Sequence, residues 1–158
     1  MTGTTEPRPR IYIDTNIFIY AVEGEAATAP PSRALLAALR GRPGTAVSSE
    51  ITLAEVLAPP RRPDALPVAV KRRVYLDMLA WSGLVELVPV SRDILVSTAD
   101  VRSTARLRLP DAIHLATAIH ARCGFFVCGD DDFQSLPAAM KRIRPTTTEI
   151  DQLLRTLA

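Results

Sequence analysis

The sequence has few cysteines, few lysines and no long apolar run. The first and the last of these shortages each exclude a class of protein. Cys123 and Cys128 are too few for a disulfide scaffold and lack the second pair of ligands that a zinc site needs. We expect both to be buried thiols. No run approaches the roughly 18 apolar residues of a membrane span, and residues 1–10 lack the apolar segment of a signal peptide. We therefore expect a soluble, cytoplasmic protein that does not enter a membrane.

Nearly all of the positive charge is arginine, because Lys71 and Lys141 are the only lysines in a chain of formal net charge +2. Arginine binds phosphate groups well, which would suit a nucleic-acid partner. A composition rich in Ala, Arg and Pro is equally typical of GC-rich coding, the reading that we favour. A P-loop and a GxGxxG motif are also absent from the sequence, so nucleotide-driven and hydride-transfer chemistry have no support.

The chain of 158 residues, 47% of them apolar, is long enough for one domain with a full core. We expect residues 1–9 to be a flexible tail and residues 10–158 to form a single domain. Segments with the apolar character of buried strands alternate with segments of helical character, and the strands are expected at 11–13, 45–48, 84–88, 125–128 and around Ile143. This alternation predicts an α/β fold of three layers, in which a parallel sheet of four or five strands is flanked by helices.

Several helix ends can be predicted from capping residues. Ser32 is expected to cap a helix that Gly41 ends. Ser91 and Thr148 are expected to cap two later helices. A nearly all-apolar helix over 111–122 is typical of a central helix packed against a sheet.

Two further helices are predicted from the spacing of their apolar residues. A helix that begins at Ser48 or Ser49 would place Glu55 on the same face as Ile51 and Ala54. A longer helix over 64–82 has a stripe suited to the core or to dimer packing, formed by Val70, Val74, Met78 and Trp81.

Four acids stand at predicted strand ends, at helix starts or on an apolar helix face. Asp14 follows the first strand, Asp130 follows the fourth, Asp111 opens a helix and Glu55 lies on the face described above. Each has a structural explanation by itself: Asp14 or Thr15 could cap a helix, Asp111 suits the positive end of its helix dipole, and Asp130 could belong to a solvated turn. Their joint occurrence at one edge of a parallel sheet, where ligands bind in such folds, favours a common site.

If these acids converge, they require a cation. Two unit charges about 4 Å apart repel by roughly 4 kcal/mol at an effective dielectric constant near 20. Carboxylates without cysteine or histidine suit Mg²⁺ or Mn²⁺ better than Zn²⁺. His114, one helical turn from Asp111, is expected to serve packing and not as a ligand, and so is His120. Such a site handles phosphate esters, which indicates a nuclease or a phosphatase.

Four short motifs resemble those of the PIN-domain ribonucleases, and in size and layout the bacterial VapC-type toxins among them. The motifs occur in the order and at separations typical of the family, and the resemblance spans nearly the whole chain. They are Ile13-Asp14-Thr15-Asn16, Ile51-Thr52-Leu53-Ala54-Glu55-Val56, Leu109-Pro110-Asp111-Ala112-Ile113-His114-Leu115-Ala116-Thr117-Ala118 and Gly129-Asp130-Asp131-Asp132-Phe133.

The resemblance implies a PIN-like fold and a Mg²⁺- or Mn²⁺-dependent endoribonuclease that leaves 5′-phosphate ends. It implies that the four acids are the catalytic residues and the metal ligands, and that two further side chains support them by hydrogen bonds. It also implies a homodimer and a small antitoxin partner whose tail covers the acidic cleft. The four acids are Asp14, Glu55, Asp111 and Asp130, and the two supporting residues are Asn16 and Asp132.

The chain departs from the family at Cys128-Gly129, where Thr-Asn or Thr-Ala is usual, so a polar hydroxyl is missing beside the fourth acid. This departure puts a second metal ion in doubt. Asp131 is an alternative to Asp130 as the fourth ligand. An RNA substrate would also need positive charge beside the acidic centre, and the candidate residues are Arg33, Arg40, Arg106 and Arg108.

Two other functions compete with the nuclease. A dehalogenase-type phosphatase also places an aspartate after its first strand, but it usually has a second aspartate where this chain has Asn16, and a lysine near a later strand end that is missing here. A non-catalytic scaffold that binds RNA or protein would have no chemical need for all four acids. The sequence therefore favours the metal-dependent ribonuclease.

Overall fold

The computed structural model describes residues 8–59, 63 and 65–158 and contains a parallel sheet of five strands. The strands are β1 (Ile11–Ile13), β2 (Ala46–Ser49), β3 (Glu86–Val88), β4 (Phe125–Val127) and β5 (Lys141–Ile143). Their order across the sheet is β3-β2-β1-β4-β5, and every pairing is parallel. The structure confirms the predicted α/β fold with its parallel sheet, and β1 lies at the centre.

Helices pack on both faces of the sheet. They are α1 (Thr15–Glu23), α2 (Ala29–Arg40), α3 (Ile51–Val56), α4 (Val68–Leu76), α5 (Arg92–Ala105), α6 (Leu109–His120) and α7 (Thr147–Thr156), and α4 continues as a π-helix over Asp77–Trp81. Because successive side chains of a strand point to opposite faces, β1 contributes to two cores. Ile11 and Ile13 belong to the core that contains Phe18 of α1, whereas Tyr12 belongs to the core that contains Leu115 of α6. These two cores give the fold its three layers.

The carboxyl ends of the central strands meet at one edge of the sheet. The backbone N–H of Asp14, the residue after β1, donates to the carbonyl of Val127 at the end of β4, with an N···O distance of 3.0 Å. Beyond β2, the N–H of Glu50 donates to the carbonyl of Val88 at the same distance. The chain therefore leaves β1, β2 and β4 at the same side of the molecule, where ligands bind in parallel α/β sheets.

Two of the predicted caps are wrong and one is confirmed. The Ser91 side chain accepts a hydrogen bond from the Ile94 N–H at 3.3 Å and caps α5. Thr146, not Thr148, caps α7 by accepting from Glu149 N–H at 3.3 Å. Helix α2 begins at Ala29, before Ser32, because two prolines are tolerated in a first helical turn, and Ser32 is buried within the helix.

The long helix predicted over 64–82 is shorter and presents a different face. It begins at Val68, since Pro67 disfavours helical backbone in the residue before it. The buried side chain of α4 is Tyr75, and that of the π-helix is Leu79, four residues later. The predicted stripe is not a core face, because Val70 and Trp81 are exposed.

Residues 1–7, most of the predicted tail, lie outside the described residues, and so do Asp64 and residues 60–62 in the proline-rich segment.

On α3 the predicted buried face is also wrong: Ala54 is exposed, and Thr52 and Val56 are buried. None of the helices in the described ranges combines the length and the apolar character needed to cross a membrane.

Candidate active site

Asp14 is a buried acid at the centre of the sheet edge. It occupies the position before α1 and makes no side-chain capping hydrogen bond, although the backbone N–H groups of Thr15 and Asn16 lie close enough to lower its pKa. The residue is only 4% exposed. The pKa of the Asp14 carboxyl is raised to about 6, mainly by burial; the charge of His114 opposes this rise and the charge of Glu55 adds to it. A carboxylate at this position is therefore under electrostatic strain that a nearby cation would relieve.

Glu55 and His114 lie beside Asp14. His114 Nε2 is 2.8 Å from Glu55 Oε2 and 3.8 Å from Asp14 Oδ1, and the imidazole is buried. Burial alone would raise the pKa of Glu55, but the hydrogen bond and charge of His114 outweigh it and the pKa is lowered. Burial alone would lower the pKa of His114, but its hydrogen bond to Glu55 and the charge of Asp14 raise it. Both shifts favour an ion pair.

Buried hydroxyl groups lie behind this pair. The Thr15 hydroxyl donates to Glu55 Oε2 and lies 3.0 Å from the Thr52 hydroxyl, which lies 3.0 Å from that of Ser48. Ser48 in turn donates to the Ile13 carbonyl at 2.8 Å. These contacts connect Glu55 to the end of β1. We call Asp14, Thr15, Glu55 and His114 the inner group.

The remaining acids form a second group around one arginine. Arg108, the residue that precedes α6, lies 3.3 Å from Asp111, 3.9 Å from Asp130 and 3.4 Å from Asp132. The Asp132 N–H donates to Asp130 Oδ1 at 3.0 Å, which fixes the turn after β4. Burial raises the pKa of Asp111, against the effect of Arg108. We call Arg108, Asp111, Asp130 and Asp132 the outer group, and α6 joins it to the inner group because it carries both Asp111 and His114.

Asp131 points to different partners. It pairs with Arg142 at 3.1 Å and with Arg144 at 3.6 Å. Asp130, in contrast, lies with Asp111 around Arg108. This geometry favours Asp130 over Asp131 as the fourth acid of the site.

Other candidate residues are placed by the structure without evidence of their roles. Asn16 lies in the first turn of α1 and is partly buried. Arg33 Nε donates to the Ala21 carbonyl at 2.7 Å, and Arg40 and Arg106 are exposed. Support of the site by Asn16 and RNA binding by these arginines remain predictions.

The acids suit a divalent cation in their chemistry, although they do not form a closed cage. Within the described part of the chain, no three Asp, Glu, His or Cys side chains lie close enough together to hold a metal ion. The available donors are hard carboxylate oxygens, which Mg²⁺ and Mn²⁺ prefer. Burial raises the pKa values of Asp14 and Asp111, and Arg108 already serves as a cation for the outer group. The residues present therefore fit a divalent ion by the chemistry of their donor atoms.

The buried partners of Glu55 were not predicted from the sequence. His114 was expected to serve packing, but its ring connects Glu55 to the Tyr12 hydroxyl, which lies 2.7 Å from Nδ1. Thr52 was overlooked because the wrong face of α3 was assigned to the core. The available signal was a set of polar residues in segments that are otherwise apolar: Tyr12 in β1, Ser48 in β2 and His114 in α6.

The ring of Tyr20 leaves no room for a side chain at position 129, which accounts for the glycine in Cys128-Gly129, the pair that departs from the family pattern. A Cβ atom on Gly129 would lie 2.7 Å from Tyr20 Cε2 and 2.8 Å from its hydroxyl oxygen, closer than real contacts allow. Burial and the charges of Asp14 and Asp130 raise the pKa of Tyr20, which therefore lies near both groups of acids. The space beside the fourth acid is thus taken by an aromatic ring from α1.

Comparisons with known proteins agree with this geometry. The family model described as the PIN domain matches residues 11–139. A toxin–antitoxin complex from Klebsiella pneumoniae contains a chain that is 27% identical, with a TM-score of 0.57 and coverage of 82% of this chain and 94% of that one. VapBC2 from Rickettsia felis, bound to a promoter DNA fragment, is 18% identical with a TM-score of 0.62 and coverage of 85% and 98%.

DNA-bound VapBC from Salmonella typhimurium is 15% identical to this chain, with a TM-score of 0.65 and coverage of 87% of this chain and 98% of the other. At such identities the likeness concerns the fold. No curated protein sequence matches the chain.

Proposed function

This chain belongs to the PIN-domain family, and from that membership we propose that it is a metal-dependent endoribonuclease, the toxin of a VapBC-type toxin–antitoxin pair. The observation that supports the proposal is the placement of the four acids, in two groups, at the carboxyl edge of the sheet. Asp14 and Glu55 contact the same imidazole, and Asp111 and Asp130 contact the same guanidinium. An RNA substrate would place its action in the cytoplasm.

We assign the metal to the carboxylates of both groups. Asp14, Glu55, Asp111 and Asp130 would hold Mg²⁺ or Mn²⁺, whose chemistry when bound is polarisation of a phosphate and activation of a water for attack. Asp14 supplies a fixed oxygen, because its backbone is held between β1 and β4. Asp111 supplies a more accessible oxygen at the mouth of the cleft, where its side chain is 16% exposed.

The RNA backbone would meet positive charge around these acids. Arg108 is largely exposed and forms only loose ion pairs, so it can turn from the carboxylates to a phosphate. Arg106, two residues earlier, is also exposed. Phosphate contacts of this kind are independent of sequence and would offset the repulsion between RNA and the acidic cleft.

We further propose a small antitoxin partner and a homodimer. The structural neighbours are toxin–antitoxin complexes, and the chain has exposed apolar side chains that a partner could cover. They lie on α4 and the π-helix, on α5 and on α6: Val68, Val70, Trp81, Leu95, Val96, Leu109 and Ile119. Light scattering of the purified chain would test the dimer.

The nuclease is tested by incubating total cellular RNA with the purified, partner-free chain and Mg²⁺ or Mn²⁺. A chelator and Asp14→Asn serve as controls, and the fragment ends are mapped. We expect cuts at a limited set of sites, with 5′-phosphate ends, that both controls abolish. Folded protein that binds Mn²⁺ but leaves RNA intact would contradict the proposal. Hydrolysis of p-nitrophenyl phosphate by the same sample would then favour the phosphatase.

A further inference from the structure

We propose that His114 is a positioning residue that holds Glu55 by one carboxylate oxygen and leaves the other oxygen to the metal. This inference rests on the proposed metal site, but it assigns a role to a side chain outside the four acids. His114 is 1% exposed and makes its contacts entirely within the protein. It lies on α6, whereas Glu55 lies on α3 and Tyr12 on β1, so one imidazole connects three elements.

The direction of the contact with Glu55 follows from the chemistry of the two groups. An ionised carboxylate only accepts hydrogen bonds, so the proton between the two side chains belongs to His114 Nε2. The N···O distance of 2.8 Å is that of a good hydrogen bond. The Thr15 hydroxyl also donates to the same atom, Oε2. Two buried donors therefore fix one oxygen of Glu55.

The other oxygen remains available. Among the described residues, both hydrogen bonds that reach the Glu55 carboxylate end on Oε2. The side chain is 32% exposed, so it is accessible from solvent while His114 stays buried. In metalloproteins, residues that do not touch the metal commonly hydrogen-bond to its ligands and fix their orientation, as His114 and Thr15 do for Glu55. Loss of such a hydrogen-bonding residue typically weakens metal binding by about 10- to 100-fold.

Tyr12 fixes the ring. The Tyr12 hydroxyl lies 2.7 Å from Nδ1, and this hydrogen bond forms in both charge states of the ring: Nδ1 donates when the imidazole is protonated and accepts when it is neutral. Tyr12 is completely buried and stacks on Phe126, with ring centroids 5.0 Å apart, so the phenol itself cannot easily rotate. The order of support is therefore from Tyr12 to His114 to Glu55, and Tyr12 acts on the metal site only through the imidazole.

The experiment compares Mn²⁺ affinities by titration calorimetry in His114→Leu, His114→Gln and Tyr12→Phe. Leucine fills the space without a donor, whereas the glutamine amide can donate from a place similar to that of Nε2. We expect His114→Leu to weaken Mn²⁺ binding by about 10- to 100-fold and His114→Gln to recover most of the loss. Tyr12→Phe, which removes one oxygen, should cause a smaller loss. The matched control is His120→Leu, at the exposed end of the same helix.

Circular dichroism establishes that each variant is folded. Unchanged Mn²⁺ affinity in folded His114→Leu would overturn the proposal, as would equal losses in the Leu and Gln variants. If the Leu variant does not fold, the other two variants decide. Native Mn²⁺ affinity in His114→Gln together with reduced affinity in Tyr12→Phe would support the role. Unaltered Mn²⁺ affinity in Tyr12→Phe would overturn it. RNA cleavage by the unaltered chain is measured separately. If the unaltered chain does not cleave RNA, the proposed nuclease activity is contradicted but the positioning role of His114 is not. If the unaltered chain does not bind Mn²⁺, both proposals are contradicted.

Discussion

The inner and outer groups of the cleft contain the same kind of acid but hold it in different ways. In the inner group the Asp14 side chain is 6% exposed, and its cationic neighbour is a buried imidazole. In the outer group the Asp132 side chain is 57% exposed, and its cationic neighbour is an arginine that is 75% exposed. The inner contacts are fixed by the packing of β1, α3 and α6, whereas the outer contacts depend on a turn and on a solvated side chain.

This difference determines how much each contact contributes to the free energy of folding. A charge removed from water costs several kcal/mol unless it is well paired, so the ionised form of Asp14 makes folding less favourable and gains from any cation that enters, whereas His114 stabilises the ionised form of Glu55. Exposed ion pairs contribute about 0–1 kcal/mol because water and salt screen them. We infer that the inner group provides a rigid half of the metal site and that the outer group is the half that rearranges when ligands bind.

The largest expected contrast is in catalysis by Asp14→Asn and Asp132→Asn. Asp14→Asn should lower the rate of RNA cleavage by roughly a thousandfold, since metal catalysis supplies several kcal/mol of transition-state stabilisation. Asp132→Asn should lower the rate less than tenfold, because the polar contacts of Asp132 within the described ranges are to Arg108 and to the adjoining turn. Single-turnover cleavage of a mapped RNA site measures both. Equal losses would show that the two groups are not functionally different.

The second contrast concerns stability and pH without metal. Between pH 3.8 and about 6 the Asp14 carboxyl is protonated in the folded chain and ionised in the unfolded chain. The folded chain then binds more protons, so its free energy of unfolding falls as the pH rises through this window and stays low above it. His114 adds to the loss at higher pH, because its stabilising charge, complete below the ordinary pKa of 6.5, disappears as the pH rises through its raised pKa.

Asp14→Asn should therefore stabilise the chain at pH 7.5 by about 1–3 kcal/mol although it lowers the rate of cleavage. Urea unfolding in chelator from pH 4 to 7.5 measures the change, and the slope between pH 4 and 6 should flatten in the variant. Asp132→Asn, the control from the outer group, should leave that slope intact. A variant that keeps the full slope would show that Asp14 is not the buried titrating group.

The sequence was sufficient to predict the positions of the acids but not the way in which they are held. Buried strands and the residues that follow them are visible as apolar runs that end in Asp14 and Asp130, and parallel topology brings such ends together. The partners of Glu55 were not visible, because His114 and Thr15 reach it only through the packing of α6 and α1 beside α3. The π-helix after α4 was also hidden, since its register change depends on tertiary packing and not on a local residue pattern.

A third, smaller effect is expected at the turn that carries the outer group. Gly129→Ala would push its Cβ against the ring of Tyr20. Overpacking of this kind typically costs about 1–3 kcal/mol, and we expect the lower half of that range because the contacted atoms lie at the end of a side chain. Gly124→Ala is the matched control, since no atom lies within 4 Å of its added Cβ.

Thermal unfolding measures both glycine variants. The double variant Gly129→Ala, Tyr20→Leu should recover stability, because leucine leaves the ring position empty. Failure of this rescue would mean that Gly129 is required for its backbone and not for the space that Tyr20 fills. The rescue itself would show that the outer turn is held in place by α1, the helix that follows Asp14.

The smallest expected effect isolates the exposed arginine. Arg108 neutralises the acids of the outer group and occupies the place of a competing cation. Arg108→Gln should therefore tighten Mn²⁺ binding by about 2- to 5-fold, the range that corresponds to an exposed ion pair of up to 1 kcal/mol. Arg106→Gln removes the same charge two residues away and should change the affinity less. Because the contacts of Arg108 are exposed, its effect should also diminish in high salt. Weaker Mn²⁺ binding in Arg108→Gln would contradict this view, since it would mean that the guanidinium orders the carboxylates for the metal and does not compete with it.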